Sequence, residues 1–172
     1  GNIGITGAGI YSAGVLTITN STIHDNRGTS EIEDVAGIVV QPATSITFNN
    51  TIISGHTDKR VNCVVAGATV YSNGHNLSQD STCNLTPDPL VGIDPLLGSF
   101  DYHGGSTKLF SLASSSPAID AGANAECPST DQRGVNYGRP ADGGSGTATC
   151  DIGAYEADAI PAKHTFLPTL FR

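Results

Sequence analysis

The residues of this chain with the chemistry to cross-link, ligate or catalyse are four cysteines, five histidines and a scatter of carboxylates. Their spacing points first to cross-links. Cys63, Cys83, Cys127 and Cys150 fall into two sequence-local pairs, and no Cys-x-x-Cys spacing occurs, which speaks against zinc. Disulfides Cys63–Cys83 and Cys127–Cys150 are the expected arrangement; four reduced thiols in a cytosolic protein is the other reading. Closing loops of this size would stabilise by roughly 3 kcal/mol each on the chain-entropy model. His24, His56, His75, His103 and His164 show no metal-binding spacing, so no metal is expected. No Gly-x-Ser-x-Gly elbow is present, and Gly7-Ala8-Gly9 leads into no helix, so neither a catalytic residue nor a cofactor is assigned.

Among the charges, Arg133 in Asp131-Gln132-Arg133-Gly134 stands out. A planar guanidinium can bridge several carboxylates and carbonyls at once. Asp120, Asp131, Asp151 and Glu156 lie in the same stretch, so an ion-pair knot fixing a structural cap is expected around Arg133. The functional alternative is a carboxylate-binding site for an acidic sugar. Asp25, Arg27, Asp34, Asp58, Lys59 and Arg60 fall in turn segments, not at alternate positions of one strand face, and read as solvated loop charges.

The elements that must position these residues are short strands in a repeat. Leu16-Thr17-Ile18-Thr19-Asn20-Ser21-Thr22-Ile23 lines up with Ile46-Thr47-Phe48-Asn49-Asn50-Thr51-Ile52-Ile53, and Ala8-Gly9-Ile10 with Ala36-Gly37-Ile38. The period is 28 to 30 residues, and a weaker third copy begins near Val61. Inside each copy the apolar residues alternate with threonines, the mark of a half-buried strand. Leu16, Ile18, Ile23, Ile46, Phe48 and Ile53 are therefore the expected core. Several very short strands per repeat indicate a parallel β-solenoid, whose coils stack at ~4.8 Å into one continuous core. Asn20 and Asn50 are expected to stack in register as turn asparagines bonded to one another.

Composition agrees with that architecture. The 21 Gly and 9 Pro, with abundant Ser, Thr and Asn, make long helices a poor expectation. The net charge of -8 over 172 residues argues against nucleic acid or an anionic membrane surface as partner. No apolar run reaches the ~18 residues of a membrane span. The chain begins at Gly1, as a processed, trimmed or fragmentary sequence would. Three regions are expected: solenoid coils over 1–83, irregular final coils and a cap over 84–156, and a linker with an apolar tail over 157–172.

The repeats resemble those of bacterial right-handed β-helix proteins. Gly74-His75-Asn76-Leu77, Asp88-Pro89-Leu90-Val91-Gly92-Ile93-Asp94-Pro95-Leu96-Leu97, Ser116-Pro117-Ala118-Ile119-Asp120-Ala121-Gly122, Thr130-Asp131-Gln132-Arg133-Gly134 and Cys150-Asp151-Ile152-Gly153-Ala154-Tyr155-Glu156 are similar to the choice-of-anchor Q domain, in that family's order. The resemblance covers about residues 7 to 156. It implies an exported bacterial surface or secreted protein, and it brings no catalytic residues. The expected fold is an all-β, right-handed parallel β-helix with an irregular, disulfide-bonded C-terminal cap. The expected function is structural: an extracellular surface module, or a fibre subunit joined head to tail. Phe166, Leu167, Leu170 and Phe171 in the tail would serve as the connector that fills gaps in the next subunit. The alternative is a β-helix that binds or degrades extracellular polysaccharide, as a lyase or hydrolase.

Overall fold

A computed structural model describes residues 2–4, 8–28, 35–55, 61–142 and 146–160, with the side chains of 35 and 36 excepted. The described chain is all-β. Its strands are β1 (Ile3–Gly4), β2 (Ile10–Ser12), β3 (Leu16–Thr19), β4 (Thr22–His24), β5 (Arg27–Gly28), β6 (Val35–Val40), β7 (Ser45–Asn49), β8 (Ile52–Ser54), β9 (Val61–Val64), β10 (Thr69–Ser72), β11 (Leu77–Ser78), β12 (Leu90–Val91), β13 (Leu97–Asp101) and β14 (Leu109–Leu112). A single 3₁₀ turn at Asn124–Glu126 is the one helical element among the described residues.

Three parallel sheets organise the first half, in the orders β2-β6-β9, β3-β7-β10 and β4-β8-β11-β12. The chain visits them in the same sequence three times, so each strand triple repeats the one before. Register turns the repeat into columns. Leu16 pairs with Ile46 and Ile46 with Val70; Ile18 pairs with Phe48, and Ile23 with Ile53. Those apolar residues enclose one core with Ile38, Val40, Cys63 and Val65, and Phe48, Ile46 and Ile53 are wholly buried. All six core residues expected from the alternation lie in or against this cluster.

The corners between the second and third sheets share a left-handed backbone: φ is 48° at Asn20, 45° at Asn50 and 57° at His75. Asparagine and histidine are among the side chains that tolerate this conformation best. Asn50 Nδ2 donates to Asn20 Oδ1 at 3.2 Å, the expected ladder between neighbouring turns.

In the third triple the interior becomes partly polar. Ser72 stands in register with Phe48, and Ser78 with Ile53. Asn62 Nδ2 satisfies both Ser78 Oγ and the Ile53 carbonyl inside the protein. Cys83 and Leu85 close over this end of the core, held by the Cys63–Cys83 disulfide.

The remaining residues form an outer layer. The sheet β4-β8-β11-β12 is apolar on both faces: Ile53 enters the first core, while adjacent Ile52, also fully buried, enters a second with Leu77, Ala118 and Ile152. Much of the region expected as a cap therefore lies along the outside of this sheet, reaching back to the first strand triple. Asn20 Nδ2 donates to the Glu126 carbonyl, Asn50 exchanges hydrogen bonds with both backbone groups of Ala123, and His75 Nδ1 lies 2.7 Å from the Ala121 carbonyl. The left-handed corners thus staple one crossing segment across three levels. This region is also less irregular than expected, since β13 and β14 form an antiparallel pair.

Candidate functional site

A cleft of about 680 Å³ opens where the third strand triple meets the outer layer. One side is the turn between β10 and β11, where Gly74 and His75 both have positive φ, 87° and 57°. Asn76 follows it and is completely buried. Its amide donates to the Phe48 carbonyl and to Asp88 Oδ2, and its Oδ1 accepts from the Thr51 backbone N–H. The turn is thereby bolted to the preceding triple. Pro87, Pro89 and Leu90 form a second wall, and Pro117, Ala121 and Ile152 of the outer layer form a third.

Asp88 is the carboxylate lining this cleft, and it is only 8% exposed. Its Oδ2 accepts from Ser72 Oγ and from Asn76 Nδ2. Its Oδ1 is buried and accepts no hydrogen bond. Glycoside hydrolysis uses two carboxyls facing one substrate, and this cleft offers one. A smaller hollow of about 360 Å³ has Asp120 and Asp158 in its lining, beside Tyr155.

The residues expected around Arg133 do come together, but on two guanidinium groups. Arg133 pairs with Asp131 at 2.6 Å, donates to the Glu156 carbonyl, and lies against the rings of Tyr137 and Tyr155 at 3.9 and 4.2 Å. Glu156 itself pairs with Arg139, at 2.8 Å, with both side chains almost fully enclosed. Arg139 also donates to the carbonyls of Gly153 and Asp151. Asp120 joins through its backbone N–H, which donates to Asp151 Oδ1. Sequence reasoning missed Arg139, which falls in the Pro- and Gly-rich stretch expected as irregular coils and cap.

The Asp151 carboxyl, buried among these groups, is pushed up from 3.8 to about 6. Burial is the main cause, the Glu156 carboxylate adds to it, and the backbone N–H groups of Ala157 and Asp120 oppose it. The folded chain therefore holds this proton more tightly than the unfolded chain. The resulting stability is fully present below about pH 4 and is lost as the pH rises through about 6. Between pH 4 and 7 this group is expected to lower the unfolding free energy by about 1–3 kcal/mol. Urea titrations of the native protein and of Asp151→Asn across that range check it: the variant should lose that part of the slope. An equal slope in both would assign the effect elsewhere.

Both disulfides are formed, Cys63–Cys83 and Cys127–Cys150, with Cα–Cα separations of 4.8 and 6.1 Å. The sulfur atoms of Cys127 and Cys150 and a Glu156 oxygen lie close together, but a disulfide offers no thiolate to a metal. Of the loop charges, Asp25 and Arg27 form an exposed ion pair, while Asp34, Asp58, Lys59 and Arg60 lie outside the described residues, as do His56, His164 and the tail residues Phe166, Leu167, Leu170 and Phe171. No family model, curated protein or solved structure matches the chain.

Proposed function

We propose that the chain is a right-handed parallel β-helix acting as an extracellular structural module, of the kind suggested by its resemblance to the choice-of-anchor Q domain. The observation that carries this reading is the strand triple repeated three times through three parallel sheets, with apolar columns in register. Two disulfides and the small share of charged residues favour an exported protein. No helix among the described residues is long and apolar enough to cross a membrane.

A scaffold of this type presents strand edges at its ends. Among the described strands, β2 and β3 terminate their sheets on one side and β9 and β10 on the other. Such edges are templates for a further strand. In the proposed fibre, residues 164–171 of one copy add to the β2–β3 end of the next, a heterologous contact that extends without closing unless it forms a ring. Electron microscopy and sedimentation of the full chain and of a chain lacking residues 160–172 test the idea. The full chain is expected to assemble and the truncated one to stay monomeric; identical assembly removes the tail as connector, and a monomeric full chain removes the fibre.

The second reading, a polysaccharide-degrading β-helix, draws its support from the hollow lined by Asp120 and Asp158. Turnover on a polysaccharide panel that disappears in Asp120→Asn would replace the structural reading.

A further inference from the structure

The cleft beside Asp88 has a polarity that a purely structural hollow does not need. We propose that it is a binding site for a primary ammonium on an aliphatic stem, the lysine side chain of a partner polypeptide. Asp88 is more than nine-tenths buried, and its Oδ1 has no donor. Such an acceptor is costly to leave unmet in the interior, and a carboxylate more so. A Cβ built on Gly74 would stand 3.8 Å from that oxygen, at ordinary van der Waals distance, so Oδ1 lies next to the Gly74 edge of the cleft.

Of the other polar side chains at the cleft, Ser72 and Asn76 already donate to Asp88 Oδ2 and Asn73 is exposed; none of them reaches Oδ1. His75 Nδ1 lies 2.7 Å from the Ala121 carbonyl, which can only accept, so the ring proton sits on Nδ1. In the neutral ring, Nε2 is then left to accept. Neither lysine nor arginine lines the cleft, so no cation of the site answers Asp88. A ligand that fits must bring donors and positive charge, and an ammonium brings three donors with one charge. The remaining lining (Pro87, Pro89, Leu90, Pro117, Ala121 and Ile152) is aliphatic and suits a methylene stem. No Phe, Tyr or Trp lines it for a sugar face to stack upon, which favours lysine over an amino sugar.

The test titrates the full, unmodified protein with Nα-acetyl-lysine methylamide and, separately, with the norleucine analogue, glucosamine and glucose. Backbone amide shifts of Gly74, His75, Asn76 and Asp88 are the readout. The lysine compound is expected to shift these amides and to bind at least about tenfold more tightly than norleucine, as a charge-assisted hydrogen bond requires. Equal binding of norleucine, equal or tighter binding of either sugar, or no shift at these amides would overturn the proposal. Asp88→Asn, where its other amides show a native fold, should lose the preference for lysine over norleucine; a retained preference would place the charge recognition elsewhere. The comparison on the unmodified protein decides the matter where that variant does not fold.

Discussion

Replacing Arg139 with alanine is expected to destabilise the protein by about 3–5 kcal/mol, the range for breaking a buried ion pair by removing one partner. The guanidinium is enclosed and makes three contacts that water cannot replace: Glu156 Oε2 at 2.8 Å, the Gly153 carbonyl at 3.1 Å and the Asp151 carbonyl at 2.6 Å. Without it, Glu156 keeps only the backbone N–H groups of Ala141 and Asp151 as partners for a buried charge. Arg139→Lys should recover only part of the loss, because one ammonium lacks the planar fork that meets three acceptors. Combining Arg139→Met with Glu156→Gln should cost less than the sum of the single changes, since removing both charges leaves neither unpaired. Urea unfolding midpoints of Arg139→Ala, Arg139→Lys, Arg139→Met, Glu156→Gln and the double variant measure this. A loss under about 1 kcal/mol in Arg139→Ala would mean that water enters and solvates the site. The effect should also reach the cleft, because Ile152, between the two carbonyls that Arg139 holds, forms part of its wall.

What the sequence makes legible here is what short stretches of chain determine. Alternation of Leu16, Ile18, Ile46 and Phe48 with threonine needs only the two-residue period of a strand, and it located the inner core. The Asn20 and Asn50 corners were readable because a left-handed turn favours asparagine whatever surrounds it. The disulfides were readable because each joins cysteines near in sequence, separated by 20 and 23 residues. The outer layer was not. Ile52-Ile53 looks like the end of a one-faced strand until Ala118 and Ile152 are brought against Ile52 by the chain's return. The antiparallel β13–β14 pair is weakly signalled: its strands are joined through residues 102–108, with Gly104-Gly105 but no Asn-Gly or Asp-Gly between them, and the connection is longer than a two-residue turn. For the same reason Arg133 drew attention ahead of Arg139. Both are single arginines in polar loops, and only the path of the chain decides which one pairs with the Glu156 carboxylate. Asp88 likewise falls in the stretch expected as irregular coils and cap; its role depends on Ser72 and Asn76, which the third strand triple delivers to it.

Phe48→Ala is expected to destabilise the protein by about 3–5 kcal/mol, the usual cost of emptying a large aromatic site in a packed core. Phe48 is fully buried on β7, the middle strand of its sheet, where it faces Ile18 on one side and the Ser72 position on the other. Strands on both sides fix the walls of the cavity, so little collapse is available to offset the loss. Thr17, on neighbouring β3, is exposed, and Thr17→Ala should stay within about 0.5 kcal/mol. Equal effects at the two positions would mean that the two-residue alternation of this sheet, or its phase, is wrong. The Phe48 carbonyl also accepts from the Asn73 backbone and from Asn76 Nδ2, so this strand carries the turn that shapes the cleft. A cavity next to Ser72 should therefore loosen the Ser72–Asp88 contact before the protein unfolds. Amide hydrogen exchange at Gly74 and Asn76 should accelerate in Phe48→Ala by more than the loss of global stability accounts for, while exchange at Ile152 follows global unfolding. Uniform acceleration at all three would show that the turn and the outer layer open only with the whole molecule, and that the inner core has no separate hold on the cleft.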